Sequence, residues 1–302
     1  MGSLSRDRAT DVRRAATTHL PGYRIDSVML LGEGENNIAY EVNGELIVRF
    51  SKDPDPASRA AQVNDEARLL AAVAGFSPLP VPEPSFTVTE QGCLAYFKLP
   101  GLPLIDLPVP QRSAHARSIA ATLGELLTAL HRVPVGRMAE LVDTDDQPKA
   151  LWLREAAETY AAVAERVPMA YRPAVEAFLD APPPTDRYAP VFSHNDLGIE
   201  HVLIDPAAWT VTGVIDWGDA AIVDPAYDFG LLYRDLGPAA LGLALNSYRT
   251  DAHDLQAISA RAAFYARCSV LEDMAYGIQT GHDKYLDKSL AALKWLYPAQ
   301  AQ

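Results

Sequence analysis

In the amino-terminal third of the chain, apolar residues come in short runs broken by glycine and asparagine, a pattern that predicts strands. Such runs cover residues 27–31, 38–42 and 46–50. A glycine-rich turn at 32–34 and the pair Asn43-Gly44 separate them, and Asn-Gly favours a hairpin because both residues tolerate positive φ. "PASRAAQVNDEARLLAAVAG" shifts to a helical period, with proline at its start and Gly75 just past its end. Val63, Ala67, Leu70 and Ala74 form its expected apolar stripe, and Glu66 falls on the edge of that stripe, away from the wet face. "SFTVTEQGCLAYFKL" predicts a further hairpin, so this region reads as strands with one helix.

From about residue 112 the helical period takes over. Ile119, Leu123, Leu126, Leu127 and Leu130 recur on one face, and further helices are expected over 150–166 and 172–180. "DAPPPTDRYAP" is a stiff loop, because adjacent prolines forbid helix. A small strand-turn-strand unit, "HVLID…VTGVIDW", interrupts the helices that otherwise continue to the end. "PGLPL" reads as the link between two kinds of structure. The expectation is an α+β chain, with a small β-rich lobe over residues 1–98 and a larger, mainly helical lobe over 99–302.

Composition narrows the function classes. Hydrophobic residues make up 49% and charged residues 22%, as in a soluble globular protein. No apolar run approaches the ~20 residues of a membrane span, and the start, "MGSLSRDRATDVRRAA", lacks the apolar centre of a secretory signal, so a cytoplasmic location is expected. Cys93 and Cys268 have no metal or redox spacing and read as buried free thiols. The net charge of −13 argues against a nucleic-acid partner and suits a cationic small molecule. The acidity is concentrated. Residues 191–230 hold seven carboxylates and no Lys or Arg, while from 231 onward seven acids balance seven bases. Carboxylates so crowded repel one another unless a cation sits among them, which hints at a metal.

Three groups of residues carry candidate chemistry. "LLGEGENNIAYEV" sets Gly32 and Gly34 between strands, where glycine lets a backbone approach a ligand's phosphates. Arg49 in "LIVRF" and Glu66 on the following helix form a cation and the carboxylate that would aim it. In "SHNDLGIEHVLID" and "VTGVIDWGDA", Asp196 and Asp216 each adjoin a strand-like run, so that two neighbouring strands deliver both carboxylates to one spot. Asp196 suits proton abstraction from a hydroxyl, and Asp216 suits a hard, oxygen-preferring ion such as Mg²⁺. The same residues leave other readings open: a metal-dependent hydrolase with His194, Asp196, His201 and Asp216 around a transition metal, or a catalytically silent nucleotide-binding protein.

With these motifs in this order, nearly the whole chain resembles the aminoglycoside phosphotransferase family, which has a protein-kinase-like fold. It is most similar to the aminoglycoside 2''-phosphotransferases and next to the macrolide phosphotransferases. The resemblance implies a bilobal kinase that moves the γ-phosphoryl group of ATP or GTP to a hydroxyl of an antibiotic, an aminoglycoside first and a macrolide or another small alcohol as alternatives. It further implies Asp196 as the catalytic base and His201 with Asp216 as Mg²⁺ ligands. Gly32, Gly34, Ile38, Arg49 and Glu66 would surround the nucleotide, and the hinge Phe97, Lys98 and Leu99 would meet its base. Asp228 would brace the catalytic loop and His194 would orient it. Asp235, Glu272 and Asp273 would meet ammonium groups of the acceptor. Two positions depart from the wider family: His201 stands where many members have Asn, and Arg49 where kinases generally have Lys. Asp224, followed by Pro225, reads as a helix cap, Glu200 and Asp205 as solvated loop acids, and His115, His131 and His282 as unremarkable.

Overall fold

The structure, a computed structural model, describes residues 2–34, 36–250 and 254–298. The chain divides into two compact units, Met1–Pro100 and Gly101–Gln302.

The first unit is built on an antiparallel five-stranded sheet. Its strands are β1 (Val28–Glu33), β2 (Asn37–Val42), β3 (Leu46–Ser51), β4 (Pro84–Val88) and β5 (Cys93–Phe97), in the spatial order β1-β2-β3-β5-β4. Asn43 and Gly44 both take positive φ between β2 and β3, as the hairpin signal required. Helix α1 (Gly2–His19) precedes the sheet and was not expected. Its buried stripe is Val12, Ala15 and Ala16, correctly spaced for a helix but so small that the apolar signal is weak. These residues close over Tyr40 and Phe50, and the Arg8 guanidinium lies 4.9 Å from the Phe50 ring centre. Helix α2 (Pro56–Ala74) starts at Asp55, whose carboxylate accepts the Ser58 N–H at 2.8 Å, and ends at Gly75. Its buried face is Val63, Leu69, Leu70 and Val73, so the expected stripe is rotated and Ala74 is exposed. Leucine and valine bury more area than alanine and set the rotation.

The second unit is mainly helical. It contains β6 (Leu102–Pro103), α3 (Val109–His131), α4 (Val135–Met138), α5 (Lys149–Val163), α6 (Arg172–Leu179) and β7 (Val191–Ser193). Then follow β8 (Val202–Ile204), β9 (Val211–Val214), β10 (Ala221–Val223), α7 (Ala226–Leu236), α8 (Pro238–Ser247), α9 (Leu255–Thr280) and α10 (Asp283–Leu296). All five apolar residues expected on one face of α3 are buried. Gly124 brings α3 against α8 so closely that a Cβ there would lie 2.2 Å from the Ala244 carbonyl oxygen. Asp224 accepts the Ala226 N–H as a cap, and it also binds the buried Arg261 guanidinium at 2.8 and 3.1 Å. Two small ladders carry the chemistry-bearing loops: β7 pairs with β10, and β8 pairs with β6 and β9. Among the described residues, no helix is long and apolar enough to cross a membrane.

Candidate active site

Strand β7 ends in Ser193, and the next eight residues, His194 to His201, form a loop that returns into β8. Asn195 takes a left-handed φ of 63°, which asparagine tolerates better than most residues. The loop is fastened from below by Asp228 on α7. One Asp228 oxygen accepts the Ser193 hydroxyl at 2.5 Å and the Asn195 N–H at 3.0 Å, and the other accepts the Leu197 N–H at 3.1 Å. The two clamped amides flank Asp196, so its backbone is fixed on both sides.

Asp196, His201 and Asp216 lie together. His201 Nε2 stands 3.0 Å from an Asp196 carboxylate oxygen, and its Nδ1 is 3.9 Å from Asp216. The paired strands β8 and β9, with Val202 opposite Val214, bring His201 and Asp216 to the same end of their ladder. Asp196 arrives from β7 in the other ladder, which corrects the expectation that one strand pair delivers both carboxylates. Asp216 follows β9 in a left-handed conformation, φ 63°. Burial disfavours a charged His201 ring, but the hydrogen bond and charge of Asp196, with Glu200 and Asp216, outweigh it and hold the imidazole up to about 9. Burial acts against an ionised Asp196 in the same way, yet His201 and the nearby His194 and Arg234 keep its carboxyl below the usual range. The donor set of two carboxylates and an imidazole fits a hard divalent ion once the His201 proton has left. One atom each of Asp196, Glu200 and His201 also fall within 4.8 Å of one another.

His194 has no such freedom. Its Nε2 is 3.1 Å from the Ile215 carbonyl oxygen, its Nδ1 accepts the Asp196 N–H at 3.3 Å, and its ring packs on Trp217. With both nitrogens engaged it orients the loop, and the transition-metal hydrolase loses one of its ligands.

In the first unit, Arg49 Nη1 binds Glu66 Oε1 at 2.8 Å, with both side chains largely buried. Gly32 sits within β1 beside a register shift and pairs with Ala39 of β2, while Ile38 pairs with Glu33. Neither Gly32 nor Gly34 has positive φ, and a Cβ at either would meet nothing described closer than 3.9 Å. Local geometry therefore does not require glycine at these positions. Phe97 is exposed at the end of β5, and Leu99 is half-buried. Lys98 is tied down by its N–H to the Glu45 carbonyl at 2.7 Å and by its ammonium to Glu41 at 2.6 Å.

The acids expected to receive an acceptor behave differently from one another. Asp235 and Asp273 lie in a buried ionic cluster with Arg234, Lys288 and Glu200. Lys288 Nζ reaches Glu200 at 2.8 Å, Asp273 at 2.9 Å and Asp235 at 3.3 Å, and Arg234 reaches Asp235 at 2.8 Å and Asp273 at 3.1 Å. Asp235 also accepts the Ile199 N–H at 3.1 Å. Asp235 thus braces the His194–His201 loop and has its charge taken up by Arg234 and Lys288; Asp273 has its charge matched from within. Glu272 alone of the three is exposed. Glu200, expected as a solvated acid, is also corrected: Lys288 draws it inward.

A family model described as "Phosphotransferase enzyme family" matches residues 27–265. The chain belongs to that family. A solved GDP complex of wild-type aminoglycoside 2'-phosphotransferase-IIIa is 25% identical, with a TM-score of 0.69 over 96% of this chain and 98% of that one. The apoenzyme of macrolide 2'-phosphotransferase MphH from Brachybacterium faecium is 23% identical, with a TM-score of 0.64 over 98% of this chain and all of the other (100%). These likenesses agree with the kinase-like expectation of a β-sheet amino-terminal region and a helical carboxy-terminal region. A stretch of 116 residues is 34% identical to the uncharacterized protein YcbJ of Bacillus subtilis strain 168, a match spanning 36% of each chain, so the chain covers about a third of that curated relative.

For this phosphotransferase-family chain, the sequence reading missed residues that act from a distance. Lys288 falls on the α10 stripe that also buries Ala292 and Leu296. A lysine on a buried stripe is a legible sign of an ionic partner. His131 gave no comparable sign, because its partner Ser193 is 62 residues away.

Proposed function

We propose that this protein transfers the γ-phosphoryl group of a nucleoside triphosphate to a hydroxyl of a small molecule. The reading rests on one observation: Asp196, its backbone clamped on both sides by Asp228, lies 3.0 Å from His201, whose other nitrogen faces Asp216. Phosphoryl transfer passes through a loose transition state, so a protein contributes mainly position and charge. Asp196 orients the acceptor hydroxyl and takes its proton. His201 and Asp216 would hold Mg²⁺, which supplies positive charge to the phosphates. Arg49, kept in place by Glu66, is assigned to the donor's phosphates. Gly32 and Gly34 leave room beside β1 for them, Ile38 offers an apolar contact, and the backbone of Phe97 to Leu99 is assigned to the purine. Residues 1–98 then serve the donor and 99–302 the chemistry, in a cytoplasmic enzyme where triphosphates are abundant.

The acceptor follows from charge. A polycationic aminoglycoside needs unmatched carboxylates, whereas Asp235 and Asp273 are already matched by Arg234 and Lys288. Glu272 remains, close enough to Asp196 for the two charges to repel. Of the three acids expected to meet an acceptor one stays exposed, and one acid suits one amine, which favours a macrolide-like alcohol over an aminoglycoside, the reverse of the order expected from sequence. Solved relatives include complexes with GDP and with ATP, and both donors belong in the test. Purified protein with Mg²⁺ and either ATP or GTP should phosphorylate erythromycin faster than kanamycin, gentamicin or streptomycin. Asp196→Ala should cut turnover by about 10²–10⁴ with nucleotide binding retained. Near-normal turnover in that variant removes Asp196 from its role, and no turnover of any acceptor with either nucleotide defeats the proposal.

A further inference from the structure

Beneath the catalytic loop runs a chain of side-chain hydrogen bonds that the reaction itself does not use. Its members are Tyr248 after α8, His131 at the end of α3, Ser193 at the end of β7 and Asp228 on α7. Tyr248 Oη is 2.9 Å from His131 Nδ1, His131 Nε2 is 3.0 Å from Ser193 Oγ, and Ser193 Oγ is 2.5 Å from Asp228 Oδ2. An ionised carboxylate only accepts, so the Ser193 hydroxyl donates to Asp228. The Ser193 oxygen is then open to a donor, and the His131 Nε2–H supplies it. In the neutral ring Nδ1 carries no proton and accepts from the Tyr248 hydroxyl. All donors therefore point one way, toward Asp228. The His131 ring is held edge-on to Tyr248 at 5.3 Å and to Phe229 at 6.3 Å between ring centres.

The end of this chain matters. The same Asp228 oxygen that receives the Ser193 hydroxyl also receives the Asn195 N–H, while its partner oxygen receives the Leu197 N–H. A Ser193 hydroxyl turned elsewhere would leave the carboxylate free to rotate off those amides. Ser193 and Asp228 are 1% and 0% exposed, so water does not replace the lost donor. We propose that His131 is a positioning residue for Asp196, acting through the Ser193 hydroxyl and the Asp228 carboxylate. The proposal rests on Asp196 being the base, and the experiment separates the two.

The amide of glutamine places its N–H where histidine has Nε2, whereas the shorter asparagine reaches only the Nδ1 position. His131→Gln thus keeps the donor to Ser193, and His131→Asn loses it. Purified full-length variants would be assayed for ATP and GTP consumption with Mg²⁺, with erythromycin, with kanamycin and with water as acceptors. Amide hydrogen exchange over 193–197 and thermal unfolding would be followed in parallel. His131→Asn and Ser193→Ala should each lower kcat about tenfold with an unchanged nucleotide KM. Both should speed exchange at Asn195 and Leu197. His131→Gln should stay near the unaltered protein in both respects. The double variant should lose no more than the worse single one, because both changes cut one chain. Equal behaviour of the Asn and Gln variants, or losses that multiply in the double variant, overturns the proposal. Unchanged kcat and exchange in Ser193→Ala does the same, and this small deletion decides the matter should His131→Asn not fold. Asp196→Asn separates the two ideas. If it stays active, the catalytic reading fails, and exchange at the two amides still judges whether His131 holds the loop.

Discussion

Replacing Lys288 by Met puts the ionic cluster behind the His194–His201 loop to a quantitative test. The cluster sets two cations, Arg234 and Lys288, against Glu200, Asp235 and Asp273. The Lys288 side chain is 3% exposed, and those of its three partners range from 2% to 13%. Methionine matches its bulk but leaves three acids facing one guanidinium. Removing one member of a buried ion pair costs about 3–5 kcal/mol. Asp273 moderates the loss. Burial lifts its carboxyl to about 6 against the pull of Arg234 and Lys288, and without Lys288 it rises further. Below pH 6 Asp273 is protonated in both folded proteins, and the deficit comes only from Glu200 and Asp235. Above pH 6 the unaltered protein sheds this proton while the variant keeps it. The folded variant then binds more protons than its unfolded chain, so its stability falls with rising pH until its own pKa is passed. Each further unit of upward shift corresponds to about 1.4 kcal/mol. The expected deficit is therefore about 3 kcal/mol near pH 5.5, growing by roughly 1–1.5 kcal/mol near pH 8. Urea unfolding followed by tryptophan fluorescence at both pH values measures it. A deficit below about 1 kcal/mol, or one that shrinks as pH rises, would refute the ionic account.

Other substitutions probe separate links. Gly124→Ala should destabilise by about 1–3 kcal/mol, since its methyl meets the Ala244 carbonyl oxygen, and a rise in Tm would contradict that packing. Arg261→Met should cost about 3–5 kcal/mol in chemical denaturation by stranding Asp224, and adding Asp224→Asn should recover part of the loss. Arg49→Ala should raise the nucleotide KM more than it lowers kcat, with Glu66→Gln following in the same direction to a smaller degree; steady-state kinetics with unchanged KM in both would free the pair from the donor's phosphates.

The sequence made legible what is written in neighbouring residues. The Asn43-Gly44 turn, the Pro56 and Gly75 limits of α2 and the leucine face of α3 depend on residues a few positions apart, and period or local punctuation exposes them. The run from His194 to Asp216 was legible as chemistry for the same reason, although its delivery from two different ladders was not. Helix α1 escaped because alanine contributes little to a stripe. The crowding of acids over 191–230 suggested a metal, yet most of that charge has an ordinary outlet. Asp224 meets Arg261, Glu200 meets Lys288, Asp205 caps a turn through the Ala207 N–H, and Asp228 receives hydrogen bonds from the loop. Only Asp196, Asp216 and Asp219 of the seven remain for a cation. Pairings of that range have no periodic signature, so three dimensions were needed to find them.

The distance between Glu200 and Lys288, 88 positions along the chain, carries a consequence for biosynthesis. During translation the loop leaves the ribosome well before the lysine that neutralises its glutamate. For several seconds, at the usual rate of synthesis, the nascent loop holds acids without their counter-charges. The loop can therefore take its neutralised, braced shape only once α10 has emerged and docked, so its final geometry waits on a helix made long after it.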